Sequence, residues 1–249
     1  MKYIASCSFG KDSLAMVLLL IEKQYPLDMV IFFDTGMEFD AIYRNRDKLL
    51  PILSEKGITY VELHPSTPFL YKMLEKPVKG RTNADHCGYG WCGGTARWGT
   101  TEKNVVISRF LDSLSENYSE YVGIAYDEPE RVKDKLYPLV EWEMTEADCL
   151  RFCREREWNW QEDGVDLYDI LDRVSCWCCA NKNRKELFNM FLRLPRYWKM
   201  LKELQRQITR PMKKWRNKQY GHYGNVFEME RVFIKLRSEW LHKLLDNTN

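Results

Sequence analysis

Along the first half of the chain, short apolar runs alternate with stretches of helical periodicity, the pattern of parallel strands joined by helices. A strand is expected over Lys2–Cys7, then a tight turn, then an apolar helix from Leu14 to about Gln24. Met29-Val30-Ile31-Phe32-Phe33 reads as a second strand and Ile58–Leu63 as a third. Between them, a helix from about Phe39 to Lys56 carries Glu38 and Asp40 at its start and Gly57 as its C-cap. A helix over Val105–Glu116 and a strand over Glu120–Ala125 follow. Thr145, with Asp148 three positions on, marks the N-cap of a helix running to about Glu155. Arg184–Ile208 and Phe227–Leu245 read as helices, the first divided at Pro195-Arg196-Tyr197-Trp198. Residues 76–101 show neither period and are rich in Gly, Cys and Trp, which predicts a long functional loop or a metal-bound insertion. No internal repeat or low-complexity linker sets the tail apart, so it is expected to pack on an α/β core.

A chain of 249 residues buries a full core, and nine Trp among 14% aromatics argue against disorder. No apolar run approaches the roughly 20 residues that span a bilayer, and the N-terminus enters a strand-like run directly. Neither a signal peptide nor a membrane anchor is expected, so the eight Cys point to reduced thiols or metal ligands in a cytoplasmic protein. The net charge of +2 conceals an asymmetry. From Lys182 onward there are 17 Lys and Arg against six acids, and Met1–Asn181 holds 21 basic and 30 acidic residues. Arg206, Arg210, Lys213, Lys214, Arg216 and Lys218 are interleaved with Trp215 and Tyr220, a mixture suited to a polyanion with stackable bases or to a solvated helical face.

The chemistry concentrates in Ser8-Phe9-Gly10-Lys11-Asp12-Ser13, where the first strand feeds the first helix. Unpaired N–H groups at such a helix start make an anion site. Ser8 and Ser13 add hydroxyls, Lys11 adds charge, and Gly10 permits close approach to a phosphate. Asp12 suits such a cradle if it holds a divalent cation bridging to the phosphates. The string lacks the Walker A spacing. It resembles the S-G-G-x-D-S loop of the PP-loop ATP pyrophosphatases and the phosphoadenosine phosphosulfate (PAPS) reductases, with Phe9 where that family usually has Gly, so the turn must tolerate a side chain.

Three further segments match the family in order. Ile31–Glu38 resembles its adenine- and ribose-side segment, D-T-G-x-E, which implies nucleotide contacts at Phe33, Asp34, Thr35 and Gly36. Tyr121–Glu128 with Arg131 resembles its G-x-x-x-D-E-x-x-R segment: Gly123 and Asp127 would flank the nucleotide, and Arg131 would meet phosphate or sulfate. Tyr137–Trp142 resembles its Y-P-L-x-x-W run. The resemblance implies an adenine nucleotide alpha hydrolase-like fold: an open, mainly parallel five-stranded sheet flanked by helices over residues 1–181, with the Cys-rich insertion inside it. Residues 182–249 would form a basic helical region packed on it.

Cys87 and Cys92, with Cys176 and Cys179, have spacings suited to one four-thiolate site. A structural zinc and a [4Fe–4S] cluster both fit, and likeness to iron–sulfur relatives favours the cluster. Many family members carry R-W-C-T; here Arg97-Trp98-Gly99-Thr100 has Gly for that Cys, so the site is either relocated or takes another metal. Cys178 reads as a ligand or a reactive thiol. Cys149 and Cys153, four apart on a helix, read as core, as does Cys7. His64 reads as a strand-end packing residue, and His222 and His242 carry no motif. No Ser–His–Asp order, H-E-x-x-H string or general base stands out.

The family performs two chemistries. Its reductases attack a sulfonucleotide with a C-terminal cysteine, and this sequence has none after Cys179, so thioredoxin-dependent PAPS reduction is not expected. The other chemistry cleaves ATP to pyrophosphate, adenylating an acceptor that then takes sulfur. Catalysis would rest on Lys11, Asp12 with Mg²⁺, and Arg131, the sulfur would come from a cysteine desulfurase or another donor, and the acceptor would be a nucleic acid held by the basic tail, as in tRNA thiolation or DNA phosphorothioation. The alternatives are an enzyme that binds or reduces PAPS or adenylyl sulfate, and a non-catalytic nucleotide- and metal-binding subunit of a sulfur-modification or defence assembly.

Overall fold

The computed structural model describes residues 1–80, 84–217 and 219–246, with positions 217 and 239–246 described through their backbone alone. Lys218 of the basic tail, residues 81–83 of the Cys-rich segment, the terminal 247–249 and the His242 side chain lie outside the described residues.

Two compact units are present. The first comprises Met1–Ser66, Thr100–Tyr168 and Val174–Cys176; the second comprises Thr67–Gly99, Asp169–Arg173 and Trp177–Asn249. A single boundary near 181 is therefore replaced by a discontinuous division. The Cys-rich segment groups with the C-terminal helices because its polar groups are satisfied there: Gly94 N–H donates to Asn181 Oδ1 (2.6 Å) and the Trp91 indole donates to Arg210 O (3.1 Å).

In the first unit, β1 (Lys2–Ser6), β2 (Met29–Phe33), β3 (Thr59–Leu63) and β4 (Tyr118–Val122) form one parallel sheet in the order β3-β2-β1-β4. The sheet has four strands instead of five. Leu136 begins a fifth: its N–H donates to Glu120 O and its carbonyl accepts from Val122 N, each at 3.0 Å. Pro138 then starts a short helix, Pro138–Glu141, and cannot donate the next ladder bond. The fourth strand also sits earlier than expected, because the chain from Gly123 onward leaves the sheet.

Helix α1 (Lys11–Glu22) is apolar all round and buried from Ser13 to Leu20. Helix α2 (Asp40–Glu55) ends as its Gly predicts: Gly57 has φ +68°, its N–H donates to Ser54 O (3.1 Å), and Ile58 N–H donates to Leu53 O (2.9 Å). Helix α3 (Trp98–Asp112) starts inside the segment expected to be loop. Helix α4 (Glu146–Glu155) has a complete capping box, with Asp148 N–H donating to Thr145 Oγ1 and Thr145 N–H to Asp148 Oδ2, both 3.1 Å. One face of the sheet packs Ile4, Met29 and Ile31 against Leu111 and Ile107.

The second unit holds α5 (Arg184–Arg193), α6 (Pro195–Gln207) and α7 (Val226–Asp246), with the expected break at Leu194 before Pro195. Phe188, Phe191, Trp198 and Phe233 form its aromatic centre. A hairpin of Trp215–Asn217 and Gly221–Tyr223 interrupts the basic tail. Its three-residue strands are too short to show a period in sequence. Among the described residues, no helix is long and apolar enough to cross a membrane.

Candidate functional site

Strand order reverses at β1, which has β2 on one side and β4 on the other. In open parallel sheets, ligands bind beyond the carboxyl ends of the strands at such a reversal. The two segments that meet here are Ser8–Ser13 after β1 and Gly123–Asp127 after β4. A Cβ on Gly123 would stand 2.7 Å from Ser13 Cα and 2.9 Å from Ser13 N, so only Gly lets β4 close on the first turn of α1.

Phe9 occupies the turn with φ +57°. The side chain that the turn must tolerate is fully buried, its ring edge-on to Phe32 at 5.0 Å, and its carbonyl accepts from the Trp160 indole at 2.8 Å. Burial of a Phe ring contributes about 1.5–3 kcal/mol, enough to offset the roughly 1–2 kcal/mol that left-handed backbone costs an L residue. Ser8 N–H donates to Ser13 Oγ, the two hydroxyls lie 3.1 Å apart, and Ser13 Oγ donates to Gly10 O. Lys11 N–H donates to the Tyr168 hydroxyl at 2.8 Å. The Lys11 ammonium is buried between carboxylates, 3.0 Å from both Asp12 oxygens and 3.4 Å from Glu146 Oε1. Burial raises the Asp12 pKa above its ordinary value, against the pull of Lys11. An acid, a base and two hydroxyls thus line the start of α1, where the Tyr168 hydroxyl sits over Gly10 and the Lys11 N–H. These residues fit a polyphosphate with a divalent cation.

Beyond β2, Asp34 Oδ1 accepts from Gly36 N–H (2.7 Å) and the Tyr43 hydroxyl (2.8 Å), and its N–H continues the ladder to Leu63 O. Phe33 is buried in β2, and Gly36 takes φ +73°. Thr35 Oγ1 donates to Glu38 Oε1 (2.9 Å), and the same oxygen accepts from the Cys176 thiol at 3.2 Å. Burial raises the Glu38 pKa. Within the first unit, Cys176 is therefore seated on the D-T-G-x-E segment, a contact invisible in sequence.

Arg131 lines an open cleft of about 1270 Å³ with Lys103, Lys133, Ser6 and Tyr137, and is paired with the buried Glu128. Asp127 accepts from Glu146 N–H at 2.9 Å and so caps α4. That bond gives Asp127 a structural partner beside its expected nucleotide role.

None of the eight cysteines is in a disulfide. Cys7, Cys149 and Cys153 are buried as expected, and burial pushes Cys7 up to about 11 and Cys153 up to about 12. In the second unit, the Cys92 carbonyl accepts from Ala180 N–H (3.0 Å), which joins the Cys92 loop to the Cys179 segment; Cys87 is exposed and Cys178 buried. A Cβ on Gly99 would lie 3.0 Å from Cys92 Sγ. The Cys92 sulfur thus occupies the space beside the position where the resembled pattern has its cysteine. Among the described residues no three of these cysteines bring their sulfurs within 4.8 Å of one another, so the four-thiolate set expected from sequence is not assembled here.

The basic tail is partly committed internally. Lys202 pairs with Glu230 (2.8 Å) and Arg206 with Glu203. Lys213 is half-buried and donates to Ala180 O at 2.5 Å; burial lowers its pKa, and the neighbouring Cys179 opposes that shift. It faces the cysteine segment within its own unit.

The family model of the phosphoadenosine phosphosulfate reductase domain matches residues 2–67, a span holding both the Ser8–Ser13 loop and the D-T-G-x-E segment. A comparison with curated proteins finds no match. Among solved structures, the chain is similar to the U34-tRNA thiolase NcsA from Methanococcus maripaludis with its [4Fe–4S] cluster. The identity is 15% and the TM-score 0.39, over 95% of this chain and 71% of that one. The similarity to the reductase-domain model thus covers the first three strands, the Ser8–Ser13 loop and the D-T-G-x-E segment, and does not extend to Gly123–Asp127 or Arg131.

Proposed function

We propose that this chain is a PP-loop ATP pyrophosphatase that adenylates an acceptor oxygen for sulfur transfer, with a nucleic acid as the acceptor class. The observation that carries the reading is the closure of Gly123 on Ser13, which seats the Ser8–Ser13 loop at the strand-order reversal. The reductase-domain match over residues 2–67 supports the nucleotide-binding part.

In this reading the N–H groups at the start of α1, with Ser8 and Ser13, hold the β,γ-phosphates, and Asp12 holds Mg²⁺. An anion at Lys11 and a cation at Asp12 replace the internal Lys11–Asp12 pair. Phe33, Asp34, Thr35 and Gly36 border the nucleoside. Arg131 offsets charge developing at the α-phosphate. The acceptor oxygen attacks the α-phosphorus and the bond from that phosphorus to pyrophosphate breaks. The outer sulfur of a persulfide donor then attacks the adenylated centre, AMP leaves, and a thiol reductant cleaves the resulting disulfide to leave the sulfur on the acceptor. Cys92 and Cys179, whose segments are joined within the second unit, are the thiols offered to a [4Fe–4S] cluster or zinc, which would supply a soft metal site for sulfur. Arg210, Lys214 and Arg216 are the tail cations offered to nucleic acid.

Pyrophosphate release from Mg²⁺-ATP, measured on anaerobically purified protein with tRNA or DNA acceptors, tests the assignment. Asp12→Ala should lower it by about 100-fold or more. Undiminished turnover in that variant removes the loop from the mechanism. The description of the matching domain favours one second reading, a sulfonucleotide as the bound nucleotide. Sulfite release from PAPS with thioredoxin would establish it in place of the ATP reading.

A further inference from the structure

Asp34, Glu62 and His64 bring their ligand atoms within 4.8 Å of one another, the one such set of three among the described residues. The sheet register explains the grouping. Phe32 pairs with Glu62 and Phe33 with Leu63, so Asp34 and His64 are the next positions of adjacent parallel strands. Side chains two apart share a face, which puts all three at the carboxyl edge of β2 and β3 on the same side. The span matches the reach of a single cation with bonds of roughly 2.0–2.3 Å to nitrogen and oxygen.

The surrounding donors hold one oxygen of each carboxylate and leave the other. Asp34 is 8% exposed, and Gly36 N–H and the Tyr43 hydroxyl both go to its Oδ1, while Oδ2 accepts no hydrogen bond among the described residues. Glu62 Oε2 accepts from Tyr60 OH (2.6 Å) and Arg46 (3.2 Å); its Oε1 faces His64 Nε2 at 3.4 Å. Outer groups arranged in this way orient carboxylates toward a metal.

We propose that Asp34, Glu62 and His64 form a divalent-cation site, separate from Asp12, for an ion that accepts two carboxylates and one imidazole, such as Mn²⁺. It goes beyond the nucleotide reading and requires no nucleotide.

The test is a Mn²⁺ titration of the whole chain followed by electron paramagnetic resonance, without nucleotide. Mn²⁺ is chosen because thiolates bind it poorly. One bound Mn²⁺ per chain with a ¹⁴N coupling is expected. His64→Ala, at an exposed side chain whose loss leaves the core intact, should abolish the coupling and weaken binding about tenfold or more. Glu62→Gln should weaken it similarly, and Asp12→Asn should leave the coupling unchanged. Absence of binding below millimolar Mn²⁺, or bound Mn²⁺ lacking nitrogen coupling, overturns the proposal, as does a signal indifferent to His64→Ala. None of these outcomes bears on ATP turnover, so the two readings fail separately.

Discussion

Gly123 and Ser13 approach so closely that a single methyl group at 123 would stand 2.7 Å from Ser13 Cα. The contact is with helix backbone, which cannot swing aside as a flexible side chain would. Gly123→Ala should therefore push α1 and its loop away from β4. A loss of about 1–3 kcal/mol is expected in urea unfolding, together with weaker adenine-nucleotide binding. A variant with unchanged stability and affinity would show that the closure has no role in positioning the loop.

Phe9 combines a strained backbone with a buried ring. Phe9→Gly relieves the first and forfeits the second. Large-to-small core changes at Phe cost about 3–5 kcal/mol, and relief of positive φ returns about 1–2 kcal/mol. Chemical denaturation should show a net loss of about 1–4 kcal/mol. A stabilised variant would mean that the family's usual Gly is the better residue here too.

Cys92 Sγ lies beside Gly99, and this neighbourhood makes the relocation of the thiol testable. Cys92→Ala should lose bound metal, measured as iron, acid-labile sulfide and zinc after anaerobic purification. Adding Gly99→Cys to that variant should restore much of it, since the new sulfur would emerge next to the vacated space. Full metal content in Cys92→Ala alone would exclude Cys92 as a ligand.

The buried Glu38 gives a pH signature. Its folded pKa is raised above the ordinary 4.5, so the folded chain holds the proton more tightly than the unfolded one. By linkage, Glu38 lowers stability as pH rises from about 4.5 through the raised folded value, and above that value the penalty is constant. Glu38→Gln keeps an acceptor for Thr35 and Cys176 and removes the titration. Unfolding free energies measured between pH 4.5 and 7.5 should favour the variant increasingly toward neutral pH. A constant difference across that range would contradict the assignment.

Local structure was legible in the sequence. The Ser8–Ser13 loop, the Gly57 helix end, the Thr145–Asp148 cap and the break before Pro195 each depend on residues a few positions apart. Contacts set by register or tertiary packing were not. The Lys11–Glu146 ion pair, Cys176 on Glu38, and the Asp34–Glu62–His64 grouping all join segments that only the fold brings together. His64 had no motif because its partners belong to an adjacent strand and to its own alternate position. The fifth strand failed at Pro138, where a ladder begun by Leu136 loses its donor. Lys213 read as a surface cation, yet its carbonyl partner Ala180 lies in the cysteine segment.

The most direct test of the nucleotide assignment is calorimetric binding of a Mg²⁺ complex of α,β-methylene ATP, run beside PAPS on anaerobically purified protein. The account predicts that the ATP analogue binds more tightly than PAPS and that Asp12→Ala abolishes the preference. Tighter binding of PAPS, or equal binding of both with no effect of Asp12→Ala, would contradict it.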